Sequence, residues 1–402
     1  TKRAVQIKKK PAYFQEITMP CLRKNLIAIG VLSLFASTSL PVWADINIGI
    51  SVSATGPAAS LGIPEKNTVA LLPTSIAGEK INYIVLDDAT NPAEANKNVR
   101  KALTEDHADI FFGSSTVPTA MAVAEVAFET KTPQIALAPL ELSGPKMAWT
   151  FSVPQHNALM AQALVEHMKV HGIKSLGFIG FADGYGEGWL REMRKAAEAA
   201  GIKMSDIERY NRTDTSVTGQ VIKLVAANPD AILVAGSGTP AALPQVALVD
   251  RGYKGRIYQT HGAANKEFIR VGGKAVEGAV LPVGPVVVAS QLPDSNPSKK
   301  IGMEYTKQYE EKYGAGTVSS FGAHMLDAYR VFAAAVPTAL KKAKPGTPEF
   351  RQALRDAIES DREVVGAHGV FNMSPTDHYG HDKRARVLVQ IVNGDWKLIN
   401  AK

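Results

Sequence analysis

The chain has 402 residues and a formal charge of +7 at pH 7. Seven Lys/Arg residues and one acid fall in residues 1–44, so the remainder carries only +1 and gives no net-charge argument for a nucleic-acid partner. The single cysteine, Cys21, lies in the same stretch, which leaves residues 45–402 with no disulfide, cysteine nucleophile or cysteine-based zinc site.

Arg23 and Lys24 precede an apolar run from Leu26 to Leu40, which closes on the small-x-small triplet Val42-Trp43-Ala44. A basic start, a short apolar core and a small-residue site predict a secretory signal peptide over residues 19–44, opening at Met19 and cleaved after Ala44. The core is short for a membrane span of about 20 residues. Cys21 precedes the core, whereas a lipid-anchoring cysteine follows it.

The 358 residues after Ala44 suit two lobes better than one core. In chain order, Ile46–Val52, Asn82–Leu86, Asp109–Phe112 and Gln134–Leu137 read as strands, with helices over Pro92–Glu105 and Thr116–Phe128. A second series follows: strand Ser175–Gly180, helix Gly186–Ala200, strand Ala231–Ala235, helix Ala241–Gly252 and strand Arg256–Gln259. Strands that are apolar throughout and separated by helices predict an α/β fold of parallel sheets covered on both faces. Pro92 after Asn91 marks a helix start, and Gly172 and Gly252 mark helix ends. The series join near Pro154–His156, and a third connection is expected to cross near Leu281–Pro285, where Pro-Val-Gly-Pro breaks any regular element. Helices over Pro297–Tyr313, Ser319–Lys342 and Pro348–Ser360 come next, then short strands after Gly366. The expected lobes are 45–155 with 285–365, and 156–284 with 366–402.

Enzyme signatures are scarce: there is no G-x-x-x-x-G-K-[ST], H-E-x-x-H or G-x-S-x-G. Gly236-Ser-Gly238-Thr-Pro-Ala241 has the shape of a dinucleotide loop, but the next strand ends in Gln259-Thr260-His261, without the acid that holds a ribose. His368, His378 and His381 are close in sequence, yet Ser374-Pro375-Thr376-Asp377 is turn chemistry and no fourth ligand converges. Neither a cofactor nor a metal is expected. What stands out is a set of small polar loops at carboxyl ends of strands, where open α/β sheets bind ligands. Ser114, Ser115 and Thr116 start a helix, whose free N–H groups and dipole favour an anion. They hold a ligand carboxylate there, or Ser115 or Thr116 simply caps the helix.

Ser53-Ala-Thr-Gly-Pro-Ala-Ala-Ser60-Leu-Gly62 resembles the N-terminal signature of periplasmic binding proteins of the branched-chain amino acid type. The resemblance runs on in order through Asp109–Thr116, Thr132–Ala136, Asp183–Gly188, Asn228–Ile232, His324–Tyr329 and Gly366–Phe371. It implies the type I periplasmic binding fold, with two Rossmann-like lobes, three hinge crossovers and a ligand cleft. It also implies a periplasmic, non-enzymatic substrate-binding component of an ABC importer, whose partner is a permease in the inner membrane. By the same resemblance Ser114, Ser115 and Thr116 hold the ligand carboxylate, with Ala136 and Ala138 beside it. Tyr185 closes over the ligand from the second lobe, and Gly238 and Thr239 come near it.

Two loops depart from the amino-acid pattern. Ala138-Pro139-Leu140 lacks the threonine, and Thr260-His261-Gly262-Ala263-Ala264 lacks the acid, that accept an α-ammonium. A buried ammonium without acceptors costs about 1–3 kcal/mol or more. A branched-chain-type amino acid and an amine-free aromatic or aliphatic acid therefore both remain open as the small carboxylate cargo. His261 either donates to a second ligand oxygen or is an ordinary loop histidine. A ligand sensor and an exported α/β enzyme are the alternative functions.

Overall fold

The structure, a computed structural model, describes residues 45–399. The predicted leader, its cleavage after Ala44 and Cys21 lie outside the described residues.

The first series of elements is β1 (Ile46–Val52), α1 (Ala59–Val69), β2 (Ser75–Ile76), β3 (Glu79–Asp87), α2 (Pro92–Thr104), β4 (Ile110–Gly113), α3 (Val117–Thr130), β5 (Gln134–Ala136) and β6 (Thr150–Ser152). The second is α4 (Asn157–Val170), β7 (Ser175–Phe181), α5 (Gly184–Ala199), β8 (Lys203–Tyr210), α6 (Thr218–Ala227), β9 (Ala231–Ala235), α7 (Ala242–Asp250), β10 (Arg256–Gln259), α8 (Lys266–Gly272) and β11 (Val280–Val283). Then come α9 (Lys299–Tyr313), α10 (Ser320–Leu340), α11 (Pro348–Ser360), β12 (Val364–Val365), β13 (Val370–Phe371), β14 (Val387–Val392) and β15 (Asp395–Ile399).

One sheet has the order β2-β3-β1-β4-β5-β6 and is parallel except for the β2–β3 pair. The other runs β15-β14-β11-β10-β9-β7-β8, parallel from β11 to β8 with β14 and β15 antiparallel at one edge. This is the two-sheet α/β arrangement expected from the sequence. The strand order reverses at β1/β4 in one sheet and at β7/β9 in the other, and crevices outside such switch points are where doubly wound sheets bind ligands.

The expected helix boundaries have visible causes. Asn91 caps α2 by accepting from Ala93 N at 2.9 Å, with Pro92 in the first turn. Gly172 and Gly252 take φ of +70° and +75° just beyond α4 and α7. One expectation is corrected. Leu281, Pro282 and Val283 belong to β11, where Pro282 lies opposite Leu388 of β14, so the break comes only at Gly284–Pro285.

α10 and α11 pack their apolar faces on the first sheet, where Phe332, Phe350 and Leu354 join Ile48, Phe112 and Phe151 in one core. β14 pairs back onto β11 of the second sheet. The chain thus passes between the sheets three times, after β6, after β11 and after β13. Just before the last passage, residues near His378 stay with the first sheet: Ser152 N donates to His378 O at 3.0 Å, and His378 stacks on Phe151.

Candidate ligand-binding site

The carboxyl ends of β4, β5, β7, β8, β9 and β10 converge between the two sheets. They enclose a cavity of about 20 Å³ lined by Leu61, Ser115, Thr116, Val117, Leu137, Ala138, Pro139, Pro154, Tyr185, Arg212, Ser237, His261, Gly262, Phe321 and His324. That is room for about one water, so the cleft is closed. A larger hollow between α9 and the Pro285–Gln291 segment lies away from these strand ends.

On the first-sheet side, β4 turns sharply at Gly113. Its φ is +116°, and a Cβ there would sit 2.0 Å from Ser51 O, so only glycine lets the chain turn into α3. The turn buries Ser114, whose hydroxyl donates to Asp88 at 2.5 Å. Asp88 also accepts from Ser51 Oγ at 2.9 Å and Ser53 Oγ at 2.7 Å. Ser115 faces the cavity, accepting from Ser53 N at 2.9 Å and sharing a hydrogen bond with Glu65 of α1. Glu65 is fully buried, and burial holds its carboxyl well above the usual carboxylate range. Ser115 Oγ is the donor in that bond. Thr116 caps α3 in a reciprocal pair with Thr119.

On the second-sheet side, Asp183 caps α5, accepting from Tyr185 N and Gly186 N at 2.9 and 3.3 Å. Tyr185 lays its ring on the cavity, while its hydroxyl bonds with Thr260 Oγ1 at 2.8 Å and accepts from Gly262 N at 3.1 Å. Arg212, from the loop after β8, stacks 4.1 Å above the Phe181 ring. Its Nε donates to Asp183 at 2.7 Å and its Nη1 to Ser237 Oγ at 2.9 Å. Among the described residues Nη2 has no acceptor, so the guanidinium keeps donor capacity for the cavity. His261 packs against Tyr185 and Trp189 with ring centroids 6.0 and 5.5 Å away.

The structure thus brings Ser115, Thr116, Ala138, Tyr185 and His261 together around one cavity. Ser114 and Ala136 lie behind it in the first-sheet core. Gly238 and Thr239 lie beside it where the lobes touch: Thr239 N donates to Ser60 Oγ at 3.2 Å, and a Cβ at Gly238 would sit 2.6 Å from the same oxygen. Glu141 pairs with Arg191 and accepts from Asn157 Nδ2 at 3.2 Å, outside the cavity lining. The sequence reading left out Leu61, Glu65, Arg212, Phe321 and His324. For Arg212 a signal existed, since an arginine just past a strand end is a ready anion partner.

The Glu141–Arg191 pair joins a first-sheet loop to α5 of the other lobe, with the arginine half exposed. Glu141→Gln is therefore expected to change overall stability by less than about 1 kcal/mol. It should nevertheless raise the open population of the ligand-free protein, seen as a larger radius of gyration by solution scattering. An unchanged radius would mean that the pair does not hold the lobes together.

A periplasmic binding protein family model matches residues 45–395. The chain belongs to the periplasmic binding protein family. Within it the similarity is to the branched-chain amino acid type. The chain is 24% identical over 283 residues to a Leu/Ile/Val-binding protein homologue of Brucella suis, which covers 66% of this chain and 73% of the relative. Among solved structures, an extracellular ligand-binding receptor from Rhodopseudomonas palustris is 48% identical with a TM-score of 0.87, over 89% of this chain and 99% of that one. A leucine-binding protein from Thermotoga maritima shares the fold at 21% identity and a TM-score of 0.76, over 88% of this chain and 98% of that one. In a periplasmic binding protein the closed cleft between two sheets is the place for a solute, and the geometry above describes that place residue by residue.

Proposed function

We propose that this protein is the extracytoplasmic substrate-binding component of an ABC importer, closing on a small carboxylate that carries no ammonium group. The observation that carries the reading is the charge of the cavity wall: Arg212 lines it, and no Asp or Glu among the described residues does. A ligand carboxylate docks between Arg212 of one lobe and the Ser115–Thr116 helix start of the other, so closure brings two anion-favouring groups onto one charge. A zwitterion has no ionised acceptor for its second charge in this wall, and the two loops that carry acceptors in amino-acid binders lack them here. The moving bodies are residues 45–155 with 285–365, and 156–284 with 366–402, with residues 366–381 riding on the first. The permease in the inner membrane takes the closed form.

A thermal-shift screen of residues 45–402 tests this. Panels are leucine, valine and isoleucine against benzoate-type and short branched aliphatic acids. A ligand at 100 times its Kd adds about 2.7 kcal/mol of stability, which at this chain length is a rise of several degrees. Amine-free acids are expected to raise the melting temperature and the amino acids to leave it unchanged. A shift with leucine and none with any acid would reverse the reading.

A further inference from the structure

Four ring nitrogens in the cavity wall lack any hydrogen-bond partner. They belong to His261, which follows β10 on the second-sheet side, and His324, which lies on α10 on the first-sheet side. Both side chains are almost wholly buried, at 5% and 2% exposure. Their surroundings are rings: Tyr185 and Trp189 against His261, Phe321 and His368 against His324. His381 also has both ring nitrogens without a partner but does not line the cavity, and none of the other seven histidines lines it. His368, for one, bonds Asp327 at 2.8 Å and Ser320 at 2.9 Å. Buried polar atoms in folded proteins are nearly always paired, and two unpaired imidazoles lining one cavity mark where a ligand group belongs.

The chemistry of that group follows from what the rings offer. Burial drives the His261 imidazole down to about 3 and that of His324 well below its usual range, so both are neutral. A neutral imidazole presents one N–H donor and one bare nitrogen acceptor. A hydroxyl is the smallest group that answers both, accepting from one ring and donating to the other. An ammonium only donates, and would place a second cation near Arg212 with no acid in the wall. A hydrocarbon leaves all four nitrogens unpaired. The same wall carries apolar surface from Leu61, Val117, Leu137 and Phe321.

We propose that His261 and His324 form a hydroxyl-recognition subsite, and that the cargo is a hydroxy-substituted carboxylic acid with its carboxylate at Arg212 and its hydroxyl between the two imidazoles. The proposal rests on the reading of the cleft as a site for an amine-free acid. His324 and His261 come from opposite lobes, so the hydroxyl is gripped only in the closed form, and selection occurs at closure.

The experiment is calorimetric titration of the protein from residue 45 with matched pairs: 4-hydroxybenzoate against benzoate, and 3-hydroxy-4-methylpentanoate against 4-methylpentanoate. At least one hydroxy acid is expected to bind about tenfold or more tighter than its partner, because a site that hydrogen-bonds a hydroxyl strongly disfavours the analogue without it. The two pairs separate an aromatic from an aliphatic cargo. His324→Phe and His261→Phe should each erase the preference, read as the ratio of the two affinities within each variant, whatever the change in overall affinity. Equal affinities within both pairs in the native protein, a comparison that needs no variant, overturn the subsite and leave the acid reading standing. Persistence of the preference in both variants also overturns it. If no acid binds and leucine does, both readings fall together.

Discussion

Arg212→Ala is expected to weaken binding of the cognate acid by about 100-fold or more, while the corresponding amide loses only a few-fold. Removing one partner of a desolvated charge pair costs about 2–5 kcal/mol in complexes of this kind, and 2.7 kcal/mol is already a factor of 100. The fold should tolerate the change. Asp183, the partner left behind, keeps its hydrogen bonds from Tyr185 N and Gly186 N and is partly in contact with solvent. Arg212→Lys should fall between, because an ammonium keeps the charge and loses both the planar fork and the stack on Phe181. Calorimetry on acid and amide with the three proteins decides the point. Equal losses for acid and amide would show that Arg212 shapes the wall and does not meet the carboxylate.

That this arginine escaped the sequence reading has a physical cause. β8 reads Lys-Met-Ser-Asp-Ile-Glu-Arg-Tyr, an edge strand with one side in water, so it lacks the continuous apolar run that revealed β9. Without the strand, the loop at its carboxyl end did not register as a strand-end loop. α1 was missed for a different reason. Gly62 and Pro64 both argue against a helix, yet Gly62 is needed where a Cβ would sit 2.2 Å from the Ser53 carbonyl. These two elements carry Leu61, Glu65 and Arg212. The internal strands β1, β4, β5, β7, β9 and β10, by contrast, were legible to within a residue or two, because burial on both faces constrains their composition, whereas β3 starts three residues earlier than read and β11, with its proline, was read as a break.

The polar wall shows the same division. The loop Gly113-Ser114-Ser115-Thr116 was recognisable as a helix start, and Thr116 caps it. Which hydroxyl faces a ligand depends on Asp88 and Glu65, residues 26 and 50 positions away in sequence. His324 stood inside the helix read over Ser319–Lys342 and inside the resemblance, with nothing in either to mark a ligand role. Its role depends on α10 passing beneath the cleft so that Phe321 and His324, three residues apart, share one face. Chain-order patterns carry the framework, and pairings across sheets carry the site.

Asp327→Ala is expected to lower folding stability by about 3–5 kcal/mol, the largest loss anticipated for any single polar side chain here. The Asp327 side chain is wholly buried on α10 and gathers the turn at residues 366–368, accepting from Ala367 N at 2.6 Å, His368 N at 2.9 Å and the His368 ring at 2.8 Å. Alanine leaves two backbone N–H groups and the His368 Nδ1 unpaired inside the protein. The turn also lies where the three passages between the lobes meet. Gln155, on the first, donates to His368 O and Ala385 O at 3.4 and 2.9 Å, and a Cβ on Gly284, on the second, would sit 2.1 Å from the His368 ring. Loss of the carboxylate should therefore loosen the hinge as well as the fold. His324, whose ring centroid is 4.2 Å from that of His368, should shift with it and carry the change into the cleft. Urea denaturation reads the first effect as a lower midpoint at unchanged slope, and ligand titration at low temperature reads the second as weaker binding in the folded variant. A loss below about 1 kcal/mol with native affinity would mean that neighbouring groups hold the turn, and that the hinge does not depend on this aspartate.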